Sequence, residues 1–586
     1  MSVLLSGNQA LARGAYESGV SAAFGYPGTP STEILENLSQ YGPEVYCEWS
    51  PNEKVALEAA VGASMAGARV IVTMKHVGLN VAADPLLTLA YIGVEGGLVL
   101  CVADDPGQHS SQTEQDTRQY ARLAKVPLLE PSDSQEARDY MLAAMEISEQ
   151  FRTPVIVRST TRVSHSRSLV ETGERRVPER AIAFQKDPSR HCPLPVWGRR
   201  MRQELEERQV AMAAAAAESP LNRCEMRSPR LGIITASITY QYVREVFPEA
   251  SVLKLGWSFP FPDQLLRTFA EQVQELVVLE ELDDFLEERV RSLGLKCRGR
   301  ELFPPCGELS VAKLQAVKDR LEGRETAPRA QSLPGLELPA RPPVFCPGCP
   351  HRGLFYGLTK FDVVVTGDIG CYSLAVFPPL NRTDVILCMG GGISMAHGLE
   401  KAGEKRKIVG VVGDSTFFHS GITGLLDIVY NRGTATIVVL DNRTTAMTGH
   451  QDHPGTGRTL QGEETSAASI EAIGRACGVR RVRTVNPYNL KEVQAALREE
   501  VAAAEPSLII SRAPCPLHER KPVGPRHSID PQKCRRCRAC LKLGCPAIEN
   551  HQGEIRINQL LCAGCGTCAE VCKFQAIGPL GEEESK

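Results

Sequence analysis

The chain has 586 residues, of which 42% are hydrophobic and 23% are charged, and its formal net charge is -3. This composition is ordinary for a globular protein, and the length predicts about four domains of ~150 residues each. A net charge this close to zero argues against nucleic acid or a membrane surface as a partner, and no apolar stretch approaches the ~18 residues that span a bilayer.

Twenty cysteines stand in a chain whose first residues, Met1–Gly7, lack the basic and then apolar segments of a secretory signal. Thiols in a chain that is not exported stay reduced and serve as metal ligands. We therefore expect a cytoplasmic protein that binds metal through cysteine.

The first 180 residues alternate short apolar runs with helical patterns, which predicts parallel strands buried between helices. The clearest strands are Ala68–Met74, Gly97–Ala103 and Pro154–Arg158. The next stretch, residues 190–227, is charged and rich in alanine, and its segment Arg199–Glu218 predicts a helical linker or a surface arm.

A second α/β block spans residues 228–325, with predicted strands at Leu231–Thr235, Ser251–Leu255 and Leu276–Glu280. A proline-rich linker, Thr326–Pro343, leads to a third α/β block at residues 343–515. The polar connector Pro516–Pro531 then precedes a cysteine-rich tail at residues 528–586.

One predicted helix of the first block begins with an acidic residue. Glu53 follows Asn52 and opens an Ala/Gly-rich helix that is suited to close packing. A single glutamate on a helix is more often a solvated surface residue. Glu53 therefore becomes a candidate site residue only in combination with the features of the third block.

In the third block, two apolar strands each end in polar residues. Ile408–Val412 runs into Gly413-Asp414-Ser415, and Thr436–Leu440 runs into Asp441-Asn442. One crossover helix, at about Phe418–Asn431, separates the strands, so a right-handed βαβ unit sets their ends side by side. Asp414 and Asn442 then offer the hard oxygens that Mg²⁺ prefers. The alternative is that both are exposed loop residues.

A glycine run, Gly390-Gly391-Gly392, opens a helix in the same block. Glycines at a helix N-terminus let backbone amides approach a diphosphate, and Gly391 and Gly392 are the residues expected to do so. Alone, such a run is weak evidence.

The tail contains two runs of four cysteines, of a kind that binds two [4Fe-4S] clusters, with the fourth cysteine of each run ligating the other cluster. Zinc ribbons or a disulfide scaffold are the alternatives. The runs depart from the usual pattern because four residues separate Cys540 from Cys545 and because Lys573, not proline, follows Cys572. The expected ligand groups are Cys534, Cys537, Cys540 and Cys572 for one cluster, and Cys562, Cys565, Cys568 and Cys545 for the other.

Four more cysteines, Cys346, Cys349, Cys371 and Cys515, are scattered over the third block. The C-x2-C pair at Cys346 and Cys349 is equally compatible with a zinc knuckle or a redox pair.

Taken together, these features resemble the thiamine diphosphate-dependent 2-oxoacid:ferredoxin oxidoreductase family. That family's motif opens Gly-Asp-Gly and closes Asn-Asn, so Ser415 and Asp441 are departures. The resemblance implies that Asp414, Asn442 and the main-chain oxygen of Thr444 hold Mg²⁺, with Gly413 and Ser415 beside the cofactor. It implies that Glu53 contacts the aminopyrimidine ring of thiamine diphosphate. It also makes the four scattered cysteines the ligands of a third, proximal [4Fe-4S] cluster.

The domain order resembles the alpha subunits of the indolepyruvate:ferredoxin oxidoreductases within this family. It implies an α/β fold of several doubly wound parallel-sheet domains with a C-terminal two-cluster ferredoxin-like α+β domain. The expected domains are a pyrimidine-binding domain (1–180), a transketolase-C-like domain (228–325), a diphosphate- and Mg-binding domain (343–515) and the ferredoxin domain (528–586).

Further residues follow from the same resemblance. The segment Tyr26–Glu33 corresponds to a substrate-facing loop, which makes Thr29 a candidate contact to the 2-oxoacid carboxyl group. A proline/glycine turn with a helix N-cap at Ser31 or Thr32 is the alternative. Three histidines are weaker candidates for proton transfer, namely His76, His109 and His450.

The implied reaction is the oxidative decarboxylation of arylpyruvates, with coenzyme A as co-substrate and ferredoxin as electron acceptor. A non-oxidative 2-oxoacid decarboxylase has no use for twelve cluster cysteines, and a non-catalytic electron-transfer scaffold has no need of Glu53, Asp414 and Asn442. Pyruvate or 2-oxoglutarate as substrate stays open. We find no small glycine-rich Rossmann-like module of the kind that related enzymes contain, so the resemblance implies a separate small (beta) subunit and a dimer of heterodimers.

Overall fold

A computed structural model describes residues 2–179, 182–324 and 342–580. The chain divides into two compact units, Met1–Gly335 and Leu336–Lys586. Almost all of the predicted linker Thr326–Pro343 lies outside the described residues. Among the described residues, no helix is both long and apolar enough to cross a membrane.

The N-terminal unit is built from strands with helices between them. Its strands are β1 Ser2–Ser6, β2 Ala22–Gly25, β3 Tyr46–Trp49, β4 Val70–Lys75, β5 Leu98–Asp104, β6 Leu128–Leu129, β7 Val155–Thr160, β8 Arg167–Glu171, β9 Arg223–Glu225, β10 Ser228–Ala236, β11 Ala250–Leu255, β12 Trp257–Phe259 and β13 Glu275–Leu279. Its helices are α1 Gly7–Glu17, α2 Thr32–Leu38, α3 Glu53–Met65, α4 His76–Val81, α5 Ala83–Ile92, α6 Thr117–Ala124, α7 Ser134–Phe151, α8 Thr161–His165, α9 Pro188–His191, α10 Pro195–Glu218, α11 Thr239–Val246, α12 Asp263–Glu271, α13 Phe285–Ser292 and α14 Val311–Leu321.

The main sheet of this unit has the order β12-β6-β7-β5-β4-β2-β3, and its strands are parallel except for the antiparallel edge strand β12. Strands β4, β5 and β7 are buried along their whole length, as expected when helices cover both faces of a parallel sheet. The carboxyl ends of these strands share one edge, where ligands bind in such sheets.

The second block is packed into the same unit. Its sheet has the order β13-β10-β11-β9, while β12 from this block completes the first sheet. One hydrophobic core contains residues of both blocks, such as Val72 of β4 and Leu253 of β11.

The charged stretch between the blocks forms one long helix, as predicted, but the helix does not stand apart as an arm. Met201 and Leu205 of α10 are buried in the shared core. The alanine-rich sequence did not predict this packing, because the few buried side chains are spread over several helical turns.

The C-terminal unit repeats the same architecture. Its strands are β14 Val363–Gly367, β15 Val385–Ile386, β16 Lys407–Gly413, β17 Thr436–Asp441, β18 Arg481–Val485, β19 Ser507–Arg512, β20 His527–Ile529, β21 Ile548–His551, β22 Glu554–Ile557 and β23 Ile577–Pro579. Its helices are α15 His351–Leu358, α16 Gly391–Lys401, α17 Asp414–Thr416, α18 Ile422–Tyr430, α19 Ile470–Ala476, α20 Leu490–Val501, α21 Pro516–Glu519 and α22 Thr567–Val571.

The large sheet of this unit has the order β15-β14-β16-β17-β19-β18 and is parallel throughout. Alternate residues of its strands point to opposite faces. Val411 packs with α15 and α20 on one face, and Val412 packs with α16 and α18 on the other. The sheet is therefore doubly wound, which confirms the predicted fold class. The tail adds two small antiparallel pairs, β20 with β23 and β21 with β22.

Buried charges join the two blocks of the N-terminal unit. Arg118 donates to Asp116 at 2.6 Å and to Glu280 at 2.5 Å, and all three side chains are buried. Beside them, Glu281 is buried and accepts from the Leu309 amide at 2.8 Å. Removal from water raises the pKa of Glu281 from its ordinary value of 4.5 to about 7.

This raised pKa predicts a pH-dependent stability. The folded unit keeps the Glu281 proton up to about pH 7, whereas the unfolded chain releases it near the ordinary pKa of 4.5. The free energy of unfolding should therefore fall as pH rises through this window and level off above it. Glu281→Gln keeps the acceptor for Leu309, so thermal unfolding from about pH 5 to about pH 8 should show a flatter profile and a higher midpoint at the alkaline end. The exposed Glu271→Gln is the control and should leave the profile unchanged.

Candidate active site and electron path

Two neighbouring strand ends form the centre of the site in the C-terminal unit. Strands β16 and β17 are parallel, with Gly413 opposite Leu440. Asp414 follows β16 at the start of α17, and Asn442 follows β17. Both are buried, with 3% and 6% of their surface exposed, so the structure excludes the alternative of exposed loop residues.

Oxygens of three residues meet at this edge. The atom of the Asn442 amide that faces Asp414 lies 3.1 and 3.2 Å from its two carboxylate oxygens, and it lies 2.9 Å from the carbonyl oxygen of Thr444. Oxygens bound to one Mg²⁺ at 2.0–2.1 Å stand about 3.0 Å apart along an octahedron edge. With the amide oxygen turned inward, the three residues fit such a cation. Turned the other way, the amide nitrogen donates to the same oxygens.

Backbone amides hold the Asp414 carboxylate in place. Its Oδ2 accepts from the Arg443 amide at 2.8 Å, and its Oδ1 accepts from the Ser415 amide at 2.9 Å. His453, which the sequence patterns did not indicate, places Nε2 3.2 Å from Asp414 Oδ2. That nitrogen is buried and has no hydrogen-bond partner among the described residues.

The glycine run opens helix α16, as predicted, but its members have different roles. Gly390 has a φ of 80°, and its amide donates to Asp368 Oδ2 at 2.8 Å. A Cβ on Gly392 would lie 2.8 Å from the carbonyl oxygen of Val411, so this glycine lets the helix lie directly on β16. Gly391 has ordinary space around it, with Cys388 Sγ 3.4 Å from such a Cβ.

A tyrosine and an aspartate connect the loops of this edge. Tyr372 accepts from the Gly413 amide at 2.8 Å and donates to Asp368, which in turn accepts from Gly390. Burial raises the pKa of Asp368 from its ordinary 3.8 to about 7. Sequence patterns missed this pair, although Tyr372 directly follows one of the scattered cysteines, Cys371.

The four scattered cysteines come together beside the same edge. The Cys515 amide donates to the Asn442 carbonyl at 3.0 Å. Burial raises the pKa of the Cys346, Cys349 and Cys371 thiols, and neighbouring thiolates raise it further: Cys515 acts on Cys346, Cys346 and Cys515 act on Cys371, and Cys346 and Cys371 act on Cys349. Burial makes the largest contribution and raises the pKa of Cys349 to about 12 and that of Cys371 to about 11.

The tail cysteines line two separate cavities, which we call the outer and inner cavities. The outer cavity is lined by Cys534, Cys537, Cys540 and Cys572. The inner cavity is lined by Cys545, Cys562, Cys565 and Cys568. The structure thus brings together the two groups of thiols that the sequence pattern predicted. Within the described ranges, no three His, Cys, Asp or Glu side chains stand close enough to share a single metal ion.

The inner cavity lies against the loop of the scattered cysteines. Gly348 and Arg352 line it together with the tail residues, and a Cβ on Gly348 would lie 2.6 Å from the Cβ of Ala563. Arg352 also donates to the carbonyl oxygens of Cys346 and Leu543. The outer cavity is lined only by residues of the tail. The three cysteine groups therefore follow one another in the order scattered, inner, outer.

In the N-terminal unit, Glu53 is the first residue of α3, and Asn52 caps the helix by accepting from the Val55 amide at 2.9 Å. Glu53 is buried, with 5% of its surface exposed, and it does not lie on a solvated helix face. Its carboxylate lies directly against Gly78 of α4, where a Cβ would come within 2.4 Å of Oε1. The short distance explains why this position is a glycine.

Thr29 is half-buried at the carboxyl end of β2, and its carbonyl oxygen accepts from the Ser110 hydroxyl at 3.1 Å. Lys75, at the end of β4, donates to the Ser110 carbonyl at 3.1 Å. Burial lowers the pKa of Lys75 to about 8. Neither Ser31 nor Thr32 makes the side-chain hydrogen bond of an N-cap at the start of α2. Ser31 instead donates to the Gly28 carbonyl, and Thr32 accepts from the Gly28 amide. Lys75 is a further residue that the sequence patterns did not single out.

The three histidines lie in different settings. His76 is buried, with Nε2 3.2 Å from the Thr113 carbonyl oxygen. His109 pairs with Glu308 at 3.1 Å. In the other unit, the His450 ring lies 5.4 Å from that of His518. Desolvation lowers the pKa of His76 and of His450, so both are neutral near pH 7.

Comparison with protein-family models agrees with this geometry. The model of the C-terminal TPP-binding domain of thiamine pyrophosphate enzymes matches residues 368–511. The thiamine diphosphate-binding model of pyruvate flavodoxin/ferredoxin oxidoreductases matches residues 13–220, and the 4Fe-4S dicluster model matches residues 526–573. The fold, the site and these matches together place the protein in the class of thiamine diphosphate-dependent oxidoreductases with iron–sulfur clusters. The predictions of thiamine diphosphate and of [4Fe-4S] clusters as cofactors are thereby confirmed.

Curated relatives narrow the class. "Indolepyruvate oxidoreductase subunit IorA" of Methanothermobacter marburgensis is 43% identical over 99% of this chain and 98% of its own length. The protein of the same name from Archaeoglobus fulgidus is 39% identical over 98% and 97%. The chain belongs to this IorA family. A solved 2-oxoglutarate:ferredoxin oxidoreductase from Magnetococcus marinus is 16% identical with a TM-score of 0.46, over 55% of this chain and 65% of its own.

The convergence of the scattered cysteines predicts the outcome of a metal analysis. Cys515→Ala should remove about four iron atoms per chain from anaerobically prepared protein, because a [4Fe-4S] cluster is held by four thiolates. Cys477→Ala, a half-buried cysteine outside all three groups, should leave iron unchanged. Equal iron contents in both variants and the parent protein would contradict a cluster at the scattered cysteines.

Proposed function

We propose that this chain is the catalytic subunit of an enzyme that oxidatively decarboxylates arylpyruvates to aryl-acetyl-CoA and carbon dioxide. Indolepyruvate is the leading substrate, with phenylpyruvate and 4-hydroxyphenylpyruvate beside it, and electrons leave through [4Fe-4S] clusters to ferredoxin. The observation that carries the proposal is the placement, within one compact unit, of a magnesium-type oxygen site next to three successive groups of four thiols.

In the C-terminal unit, Asp414, Asn442 and the Thr444 carbonyl would hold Mg²⁺. Gly391 and Gly392 at the start of α16 present the helix N-terminus to the diphosphate. Gly413 and Ser415 shape the turn beside it. Bound thiamine diphosphate supplies an electron sink that accepts the electron pair released on decarboxylation.

The N-terminal unit contains the residues that we assign to proton transfer and to substrate binding. Glu53 holds a proton at its carboxylate for the aminopyrimidine of the cofactor, and its burial keeps the group away from water. Thr29 binds the carboxyl group of the 2-oxoacid. The Lys75 ammonium, buried beside the Thr29 loop, adds a positive charge that favours an anionic substrate.

Three [4Fe-4S] clusters form the electron path. The first is held by Cys346, Cys349, Cys371 and Cys515, the second by the inner and the third by the outer cysteines. Because Gly348 packs on Ala563, the first two sites are neighbours, and clusters held there would carry electrons singly toward the tail. A non-oxidative decarboxylase or a non-catalytic scaffold does not require this combination of sites.

We assign the domains as 1–180 pyrimidine-binding, 228–325 transketolase-C-like, 343–515 diphosphate- and Mg-binding, and 528–586 ferredoxin. The relatives carry the name of a subunit, and this chain works with a separate small (beta) subunit as a cytoplasmic dimer of heterodimers. Coenzyme A takes up the acyl group as a thioester. Neither nucleic acid nor a membrane is part of the assembly.

The decisive experiment is an anaerobic assay of dye reduction by the chain together with its small subunit. Indolepyruvate should exceed pyruvate and 2-oxoglutarate by at least about ten-fold in kcat/KM, since an aryl pocket discriminates against substrates that leave it empty. The reaction should require coenzyme A, and the chain alone should show little of it. A preference for pyruvate or 2-oxoglutarate would refute the substrate assignment, and full activity of the single chain would refute the subunit assignment.

Two glycines test the role of Glu53 without changing that residue. In Gly78→Ala, the new methyl group would lie 2.4 Å from Glu53 Oε1, so the flexible carboxylate must move while the fold is kept. A displacement of this size should lower kcat by about 100-fold. Gly62→Ala, in the same helix as Glu53, places its methyl group in open space and should leave kcat unchanged. Iron and thiamine contents of both variants check that the clusters and the cofactor are retained.

A further inference from the structure

The two cysteine runs of the tail, which we call the outer run (Cys534–Cys545) and the inner run (Cys562–Cys572), space their first three cysteines identically but differ in the residues between them. In the inner run, Gly564 and Gly566 both have a φ of 73°. The corresponding positions of the outer run are Arg536 and Arg538, with φ values of 52° and 60°. Two arginines therefore adopt the left-handed backbone conformation that glycines adopt in the matching loop.

This choice is unfavourable for the fold. A residue with a side chain is strained in the left-handed region relative to the right-handed helix, whereas glycine adopts it freely. The inner run shows that glycine satisfies the same loop geometry. A strained residue that persists at such a position indicates a function for its side chain.

The two loops also differ in charge. Residues 531–544 around the outer run contain five basic residues and no acidic one, which we call the basic collar: Lys533, Arg535, Arg536, Arg538 and Lys542. The equally long segment 559–572 around the inner run contains no basic residue and one acidic one, Glu570. Formal charges of +5 and -1 thus stand on matching loops of a chain whose net charge is -3.

The collar is exposed, and only part of it is paired: Lys533 lies 3.2 Å from Asp530. All five of its residues are exposed. Arg535 and Arg538 line the outer cavity and have no ion-pair partner among the residues that the structure describes. Arg536, with 66% of its side chain exposed, approaches Glu554 only to 3.7 Å.

An apolar side chain lies at the same place. Phe574 also lines the outer cavity and is 45% exposed. An apolar centre with a charged rim is the usual arrangement of a protein–protein interface. The inner cavity, in contrast, is covered by Gly348 and Arg352 from the preceding block. Positive charge is therefore concentrated at the end of the electron path that faces outward.

We propose that the basic collar is the docking surface of the electron acceptor, and that the acceptor is a small acidic redox protein. The inference rests on the proposed function. Each encounter transfers one electron, so that the outer cluster is oxidised and the acceptor reduced, without movement of a proton or a chemical group. Two acceptor molecules leave reduced for each 2-oxoacid consumed. Unpaired guanidinium groups attract carboxylates over distance and speed the encounter.

The test is the double variant Arg536→Gly/Arg538→Gly, which restores the backbone chemistry of the inner loop and removes two charges. Photoreduced holoenzyme is mixed with an acidic ferredoxin in a stopped-flow experiment, so the measurement does not depend on any 2-oxoacid. The second-order rate constant should fall about ten-fold at low ionic strength and lose much of its salt dependence. Reduction of a neutral small-molecule dye should be unchanged.

The matched control is Arg152→Gly/Arg432→Gly, which also removes two exposed arginines with positive φ, at places outside the tail. Its rate constant should equal that of the parent enzyme, and Arg536→Lys/Arg538→Lys should retain most of the rate. An unchanged rate constant in the glycine double variant would overturn the proposal, as would an equal loss with the neutral dye or with a basic cytochrome. Loss of 2-oxoacid oxidation with intact electron transfer would instead count against the proposed function alone.

Discussion

The parallel pairing of β14, β16, β17 and β19 is the constraint on which the C-terminal unit depends. Parallel strands end at the same edge, so the residues that follow them are gathered whatever their distance in sequence. Asp368, Asp414, Asn442 and Cys515 each come soon after one of these strands. The oxygens of the candidate cation site and a thiol of the scattered cysteine group therefore lie side by side, because one sheet places both.

The Tyr372–Asp368 pair strengthens this arrangement. Its hydrogen bonds connect the loop of Cys371 to Gly413, beside the oxygen site, and to Gly390, at the start of α16. All of these groups are buried, and an unsatisfied member of such a network would cost about 1–3 kcal/mol, so the loops keep fixed positions. In the proposed function a fixed distance matters, because single electrons would pass from the cofactor to a cluster at the first group of thiols. Rigidity of the loops and electron transfer thus have the same structural basis.

Much of the fold and of the candidate site was predictable from the sequence. The site residues that were not predicted were missed for one common reason. The β16 and β17 ends and the cysteine runs are local patterns, so Asp414, Asn442 and the tail groups followed from spacing, whereas Glu53 followed only from the family resemblance. Contacts between distant segments leave no such pattern. Gly78 lies against Glu53 across 25 positions of sequence, and Tyr372 reaches Gly413 across 41. Lys75 and His453 likewise become candidate site residues only because of the residues that the fold places next to them.

The two cysteine runs show how a structure adds information to a motif. In the sequence, the first three cysteines of both runs have the same spacing, and Arg536 and Arg538 are only two of the 66 lysines and arginines in the chain. The φ angles show that these arginines occupy positions at which the matching loop has glycine. Since backbone strain opposes arginine there, the positive charge is retained for a reason outside the loop itself. Gly348 and Arg352 cover the inner cavity, so the outer one alone faces a partner, and the charge lies where an acidic acceptor arrives.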